Sequence, residues 1–497
     1  MTYDYDEAGN LLSVTEWNDA ETTYEYDDAG MLETATLANG VVGAYSYDNA
    51  DRLEGISWEK GGVIAFVDYT LDAVGNRTQR VDGLGTHTYD YDNLYRITNA
   101  DYPGADETDY TYDAVGNRKT MVIGAGTTSY TYDAADRLTL VDPPGAGSTS
   151  YTFDDNGNLT SRGSDSFSWD AEDRMTSATV SSTTTTFVYN GDGLRNSLTT
   201  GGNTTTFTWD VAASIPEVLE DGSFKYVYGL GRLAEVGPTT TTHYYLPDGL
   251  GSTMALVNSS GSVVNTYDYD VFGAIRSSTG SQANAFKYTG EQFDSSTGLQ
   301  YLRARFYDIE TGRFTGRDPL PGIVGVPGTQ NNFSYAMNTP TMLIDPYGLF
   351  SLKKLVKKIA KPTILTLDAV AVSFSAASAV ITDVATVGGC ISGASYGASL
   401  GPAGLVGGCI AGGAAGYIAA RVATRAFVAI SYYASGLSAA VSCGDSLLND
   451  FPPKEARAFF KSCVQPVLNF RLTTARSEPN WATAVDAYQF CLDLNIC

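Results

Sequence analysis

The sequence predicts a mainly β chain of tandem hairpins that gives way to a mainly α, Gly/Ala-rich tail, and three observations carry that expectation. An aromatic-x-aromatic-Asp unit returns about every 20 or 21 residues through the first half of the chain. Tyrosine (33 residues) and glycine (52) are abundant, with Thr, Ser, Asp and Asn filling much of the rest, a mix suited to short strands and tight turns. Near residue 350 the composition breaks. The residues up to Phe350 hold 19 basic and 48 acidic side chains, whereas 351–497 hold 12 and 8, together with all six cysteines. A chain of 497 residues with such a break divides into at least two units.

The first region, residues 1–243, is the repeat. Copies include Tyr24-Glu25-Tyr26-Asp27, Tyr45-Ser46-Tyr47-Asp48, Tyr110-Thr111-Tyr112-Asp113 and Tyr130-Thr131-Tyr132-Asp133, drifting to Phe187-Val188-Tyr189-Asn190 and Phe207-Thr208-Trp209-Asp210. Residues two apart on a strand share a face, so each aromatic pair forms a stripe that must be buried, while Thr, Ser or Asp faces the other way. The Asp that follows can bond the turn backbone, and Gly75, Gly116 or Gly157 supplies a positive φ before an asparagine. A single hairpin is unstable alone, so successive units must join edge to edge into one sheet. The acidic balance of this region excludes nucleic-acid binding through phosphate contacts. Two histidines in the whole chain, His87 and His243, leave little for His-based catalysis, and neither a metal nor a cofactor is expected.

At these repeats the sequence resembles the YD-repeat, or Rhs, family, over residues 1 to about 349. The resemblance implies that the hairpins form a β-shell that spirals into a cocoon.

Residues 244–349 carry a denser signature: Tyr245-Leu246-Pro247-Asp248-Gly249-Leu250-Gly251, Arg303-Ala304-Arg305-Phe306-Tyr307-Asp308, Arg317-Asp318-Pro319 and the closing Asp345-Pro346-Tyr347-Gly348-Leu349. This stretch is similar to the Rhs repeat-associated core domain, also found in the C subunits of insecticidal toxin complexes. The resemblance implies that the core plugs the shell. It also implies that the core cuts the chain after its closing motif, using two aspartates helped by an arginine. Matched residue by residue, the aspartates are Asp318 and Asp345, the arginine is Arg305, and the bond lies between Leu349 and Phe350. The chemistry suits the residues: of two carboxylates in one site, one can activate water while the other donates a proton, and a guanidinium can hold one of them charged. The competing reading is architectural. Asp-Pro is an ordinary turn dipeptide, present also at Asp142-Pro143, and Arg305 can pair with any core carboxylate. Residues 320–331, with three glycines and two prolines, depart from the family pattern just where the two aspartates must approach.

Residues 350–444 open with Leu352-Lys353-Lys354-Leu355-Val356-Lys357-Lys358-Ile359, which on a helix gives one cationic and one apolar face, suited to anionic lipid or to a solvated linker. No charged residue occurs from 384 to 420 or from 426 to 444. Gly389, Gly393, Gly397 and Gly401, then Gly404, Gly408, Gly412 and Gly416, form a glycine zipper on which helices can approach closely. The readings are a membrane hairpin and a buried soluble helix pair. Residues 445–497 form a small unit holding three of the six cysteines. The even count suits an oxidising destination and disulfides, with reduced buried thiols as the alternative.

Taken together, these readings give a carrier shell that encloses or presents its own C-terminal tail as cargo and releases it by single-turnover self-cleavage. The tail then acts on a target-cell membrane. The alternatives are a cell-surface adhesion protein with an apolar anchor, and an enzymatic toxin tail of unrecognised type. An immunity protein or carbohydrate completes the expected partner classes, and the destination is secreted or cell-surface. The chain opens within a repeat, at Tyr3-Asp4-Tyr5-Asp6, and is read as lacking an upstream targeting region.

Overall fold

The computed structural model describes residues 1–349, apart from 18, 106, 239–240, 321 and 323–326. The chain divides into a unit Met1–Ser351 and a unit Leu352–Cys497. The second unit lies outside the described residues, as does Phe350. The expectations of a helical tail, a membrane hairpin and disulfides fall there.

From β1 (Thr2–Tyr5) to β21 (Asn203–Thr206) each strand pairs antiparallel with its sequence neighbours, giving one meandering sheet of 21 strands. An eight-stranded sheet follows, from β22 (Thr208–Asp210) to β29 (Ile275–Gly280). A four-stranded sheet closes the series: β30 (Gln292–Asp294), β31 (Leu299–Leu302), β32 (Arg305–Asp308) and β33 (Arg313–Phe314). The only helical pieces among the described residues are three-residue 3₁₀ turns.

The repeat turn is one device with two spellings. After the aromatic pair, Asp72 Oδ1 accepts from the Val74 and Asn76 amides, and Asp48 Oδ1 does the same for Ala50 and Arg52. The residue before the Asn or Arg takes a positive φ: Gly75 and Gly116 in Gly-Asn turns, Asp51 and Asp136 in Asp-Arg turns. Glycine holds that conformation without a Cβ clash, and Asp tolerates it better than most residues. Asn76 Nδ2 then reaches Asp72 Oδ2 at 2.8 Å, while Arg137 Nε reaches Asp133 Oδ2 at 2.6 Å. The arginine goes further, since Arg137 Nη1 also donates to the Asp154 carbonyl of the next turn.

The two aromatics of each pair play different parts. The first lies in the core in most copies: Tyr24, Tyr89, Tyr110, Phe167, Phe187 and Phe207 are buried, while Tyr45 and Tyr151 are half-buried. A β-bulge falls just before the second, as at Glu25/Tyr26, Thr131/Tyr132 and Val188/Tyr189, and re-aims it. The second ring is only half-buried, and in several copies its polar end is tied to an earlier turn. Tyr26 Oη donates to the Leu11 carbonyl, Tyr132 to Arg118, Tyr189 to Met175, and Trp209 Nε1 to Arg195. The outer face carries exposed hydroxyl pairs such as Thr111–Thr120 and Thr199–Thr204.

The inner face of the long sheet is covered by the segment after residue 207. Tyr24, Trp58 and Tyr69 pack with Val227, Leu246 and Val257; Tyr89 and Tyr110 pack with Phe272; Phe167 and Phe187 pack with Tyr301 and Phe306. Burial of these rings, at about 25 cal/mol per Å² of apolar surface, is the main force joining repeats to core. Arg195 is wholly enclosed where the two meet. It pairs with Asp294, donates to Gln292 Oε1 at 3.1 Å and lies over the Tyr301 ring.

Candidate functional site

The four-stranded sheet positions the residues the sequence singled out. β31 and β32 form a tight hairpin with Leu302 opposite Arg305, and its turn is Arg303-Ala304. Arg305 therefore begins β32, with its side chain buried over the Phe314 ring at 3.6 Å. From there it reaches three elements. Nη2 meets Asp318 Oδ2 at 2.7 Å and Asp345 Oδ2 at 3.6 Å, Nη1 donates to the Asn332 carbonyl at 2.9 Å, and Nε donates to the Gly348 carbonyl. Asp318, Asp345 and Arg305 thus share one buried site, although 27 residues separate the aspartates in sequence and the Gly/Pro-rich stretch lies between them.

Asp318 is fixed from both sides: its amide donates to the Asn332 carbonyl, and its Oδ1 accepts from the Leu320 amide. Asp345 sits in the closing turn, where its carbonyl accepts from the Gly348 amide and its Oδ1 accepts from the Leu349 amide at 3.0 Å. Burial pushes the Asp345 carboxyl up to about 7. The Asp318 charge adds to the rise, and Arg305 opposes it. Burial also pushes the Arg305 guanidinium down, against the pull of the two aspartates. The site therefore holds one carboxylate in a close ion pair and a second that keeps its proton near neutral pH, the combination needed to give and take protons.

The closing segment lies hard against the hairpin. Gly348 has φ +63°, and a Cβ there would come within 2.6 Å of the Leu302 carbonyl oxygen. Leu349 is the last residue described, and Phe350, the other side of the expected cut, lies outside the described residues.

Motif matching selected Arg305 and passed over Arg303, whose guanidinium donates to the Pro216 carbonyl, to Glu291 Oε2 and to the Pro346 carbonyl. The signal was in the sequence as two arginines two apart in Arg303-Ala304-Arg305. Spacing alone could not show that both reach the closing segment.

Among the described residues, Asp82, His87 and Asp268 also gather buried groups of metal-ligand type. Both carboxylates are already engaged, Asp82 by Arg80 at 2.9 Å and Asp268 by Arg276 at 3.0 Å, so their charge is balanced without a cation.

Comparison with known proteins places these features. A family profile described as Teneurin YD-shell matches residues 76–321, and one described as RHS Repeat matches residues 5–42. The tRNA3(Ser)-specific nuclease WapA of Bacillus spizizenii is 35% identical over 205 residues, which is 39% of this chain and 9% of that protein. The toxin protein Tse5 of Pseudomonas aeruginosa is 32% identical over 106 residues, 21% of this chain and 8% of its own length. Among solved structures, the TcdB2-TccC3 complex superposes with a TM-score of 0.54 at 21% identity, covering 70% of this chain and 21% of that one. The Photorhabdus luminescens Tc holotoxin pore gives 0.51 at 19% identity, with the same 70% and 21% coverage. These superpositions show a shared fold. The chain spans less than a tenth of the length of the WapA and Tse5 proteins it matches.

Proposed function

This chain belongs to the YD-repeat, or Rhs, family, and from that premise we propose that residues 1–349 are a carrier that cuts its own tail free between Leu349 and Phe350. The observation that carries the reading is Arg305 bridging Asp318 and Asp345 beside the Leu349 amide. In the proposed reaction the Asp318 carboxylate takes a proton from water as the water oxygen bonds to the Leu349 carbonyl carbon. Neutral Asp345 gives its proton to the Phe350 nitrogen as the C–N bond breaks. The Leu349 carboxylic acid so formed gives its proton to the ionised Asp345, leaving a Leu349 carboxylate and a Phe350 amine. No multiple turnover follows, because the substrate is the chain itself.

Intact mass of the purified protein tests the cut. Two fragments, 1–349 and 350–497, are expected from the unmodified chain, and none from Asp318→Asn or Asp345→Asn. Arg305→Lys should slow the reaction without abolishing it, since the guanidinium moves no proton. A full-length mass for the unmodified chain overturns the reading, and cutting in both Asn variants overturns the mechanism.

The released tail acts on membranes in this reading, supported by the uncharged run 384–420 and its glycine series. Dye-filled anionic liposomes should leak with the cut protein and stay sealed with uncut Asp345→Asn. Leakage equal in both, or in neither, sinks the membrane role. A secreted or surface destination goes with a carrier of this kind, and the toxin name of the matched Tse5 protein supports it. The exposed hydroxyls of the outer face keep carbohydrate adhesion as the second reading.

A further inference from the structure

The turn of the β31–β32 hairpin reaches three successive carbonyls of the closing segment. Arg303 Nη1 donates to Pro346, the Ala304 amide donates to Tyr347 at 3.1 Å, and Arg305 Nε donates to Gly348. The next carbonyl in the series belongs to Leu349, the bond to be cut in the reading above.

Arg303 is an unexpected residue for its place. Its φ of +65° lies in the left-handed region, where Gly or Asn would sit with less strain, yet the position holds a long cation. That backbone conformation accompanies a guanidinium held through two of its nitrogens. Nε donates to the Pro216 carbonyl at 2.9 Å, and Nη1 serves both Glu291 Oε2 at 2.8 Å and the Pro346 carbonyl. Pro216 lies just before β23 (Glu217–Glu220) of the eight-stranded sheet, and Glu291 just before β30 of the four-stranded sheet. Arg303 therefore fastens the closing segment to two separate parts of the fold. It contacts neither Asp318 nor Asp345 in any bond named above.

We propose that Arg303 is a positioning residue for self-cleavage: it fixes the Pro346 carbonyl so that the Leu349 carbonyl is presented to the Asp318–Asp345 pair. This rests on the self-cleavage reading. Positioning of this kind acts on rate through geometry, because small displacements of reacting groups cost large factors. It differs from what Arg305 does, which is to sit between the carboxylates and set their charge.

The test is a time course of intact mass at several pH values, using the full chain. The unmodified protein is compared with Arg303→Lys, with Arg305→Lys, and with the double variant Arg303→Gln/Glu291→Gln, which leaves no buried carboxylate without its partner. The double variant should cut at least tenfold more slowly, with the midpoint of its pH profile unmoved and its melting temperature close to that of the parent. Arg303→Lys should recover part of the rate, since one ammonium can still reach the Pro346 carbonyl. Arg305→Lys should shift the pH midpoint. As a readout that does not need the cut, Arg303→Gln/Glu291→Gln in the uncut Asp345→Asn chain should speed amide hydrogen exchange of Gly348 and Leu349.

A double variant that cuts at the parent rate overturns the positioning role and leaves self-cleavage standing. So does a moved pH midpoint, which would mean that Arg303 acts through charge. A slow rate accompanied by a large fall in melting temperature, unrescued by lysine, assigns Arg303 to general stability instead. An unmodified chain that never cuts overturns the self-cleavage reading and this inference with it, whereas unchanged amide exchange overturns the inference alone.

Discussion

Two isosteric substitutions in one site should affect stability with different pH dependence. Asp345 holds its proton up to about pH 7 in the folded chain. An unfolded aspartate releases its proton near pH 3.9. Between about pH 4 and 7 the folded state thus binds a proton that the unfolded state has lost, so stability falls as pH rises through this window. A displacement of roughly three pK units corresponds to up to about 4 kcal/mol, fully felt above pH 7 and absent below pH 4. Asp345→Asn removes that dependence, because an amide is neutral throughout and its oxygen can still accept from the Leu349 amide. Asp318→Asn keeps the part of the Asp345 dependence that burial causes, loses the part that the Asp318 charge adds, and also leaves Arg305 buried without its closest partner, at a cost of about 3–5 kcal/mol. Glu217 and Glu235, pushed up to about 7 by burial, and Asp270, pushed up to about 6, impose the same slope on both variants and cancel in the comparison. The assay is urea unfolding of the two uncut variants at pH 4, 6 and 8. The Asp345→Asn profile should be flatter and should lie above that of Asp318→Asn at pH 8. Parallel profiles would refute the claim that burial dominates at Asp345, and a gap widening toward low pH would reverse its sign.

Two further outcomes follow from the packing. Arg195→Met should lower stability by about 3–5 kcal/mol, because Asp294 is left buried without its cation, and adding Asp294→Asn should restore part of the loss; a urea midpoint unchanged in the single variant would contradict this. Tyr189→Phe should cost about 1 kcal/mol by removing the hydroxyl bond to the Met175 carbonyl, whereas Tyr112→Phe should be neutral or stabilising, since the Tyr112 hydroxyl is buried with no hydrogen-bond partner; equal losses in both, measured the same way, would show that ring packing sets the cost and not the bond.

The repeat fold was legible because its information is local. Two-residue spacing put the aromatics on one face, and Asp followed by Gly-Asn wrote the turn, so antiparallel hairpins followed from short windows of sequence. The division of labour within each aromatic pair was not legible. It depends on a bulge between the two rings, and a bulge is a property of register against the neighbouring strand, which no single repeat contains. Tyr112 illustrates this: alternation makes it the equal of Tyr110, yet Tyr110 is buried and Tyr112 is half-buried under Arg96. At the site, motif matching named Arg305, Asp318 and Asp345, and these three side chains lie together. Arg303 was missed because its partners, Pro216, Glu291 and Pro346, come from three distant segments.

Distance in sequence also governs when such a site can exist. The segment that carries Asp345 toward Arg305 is fastened to repeat turns more than 170 residues earlier. Arg313 reaches Asn117 Oδ1 and the Asp136 carbonyl, and Asn331 shares the same Asn117 oxygen. Asn338 donates to the Gly116 carbonyl, Thr339 to Tyr95, and Arg77 to the Thr341 carbonyl. The Gly-Asn turn at Gly116-Asn117 thus serves twice, once to reverse its own hairpin and once as a docking point for the run 331–341. Residues 331–341 keep these partners only where the turns between Arg77 and Asp136 hold the conformations described above. In the proposed reaction the site that joins Asp318 and Asp345 to Arg305 is therefore supported by the folded repeats, and the cut needs them in place.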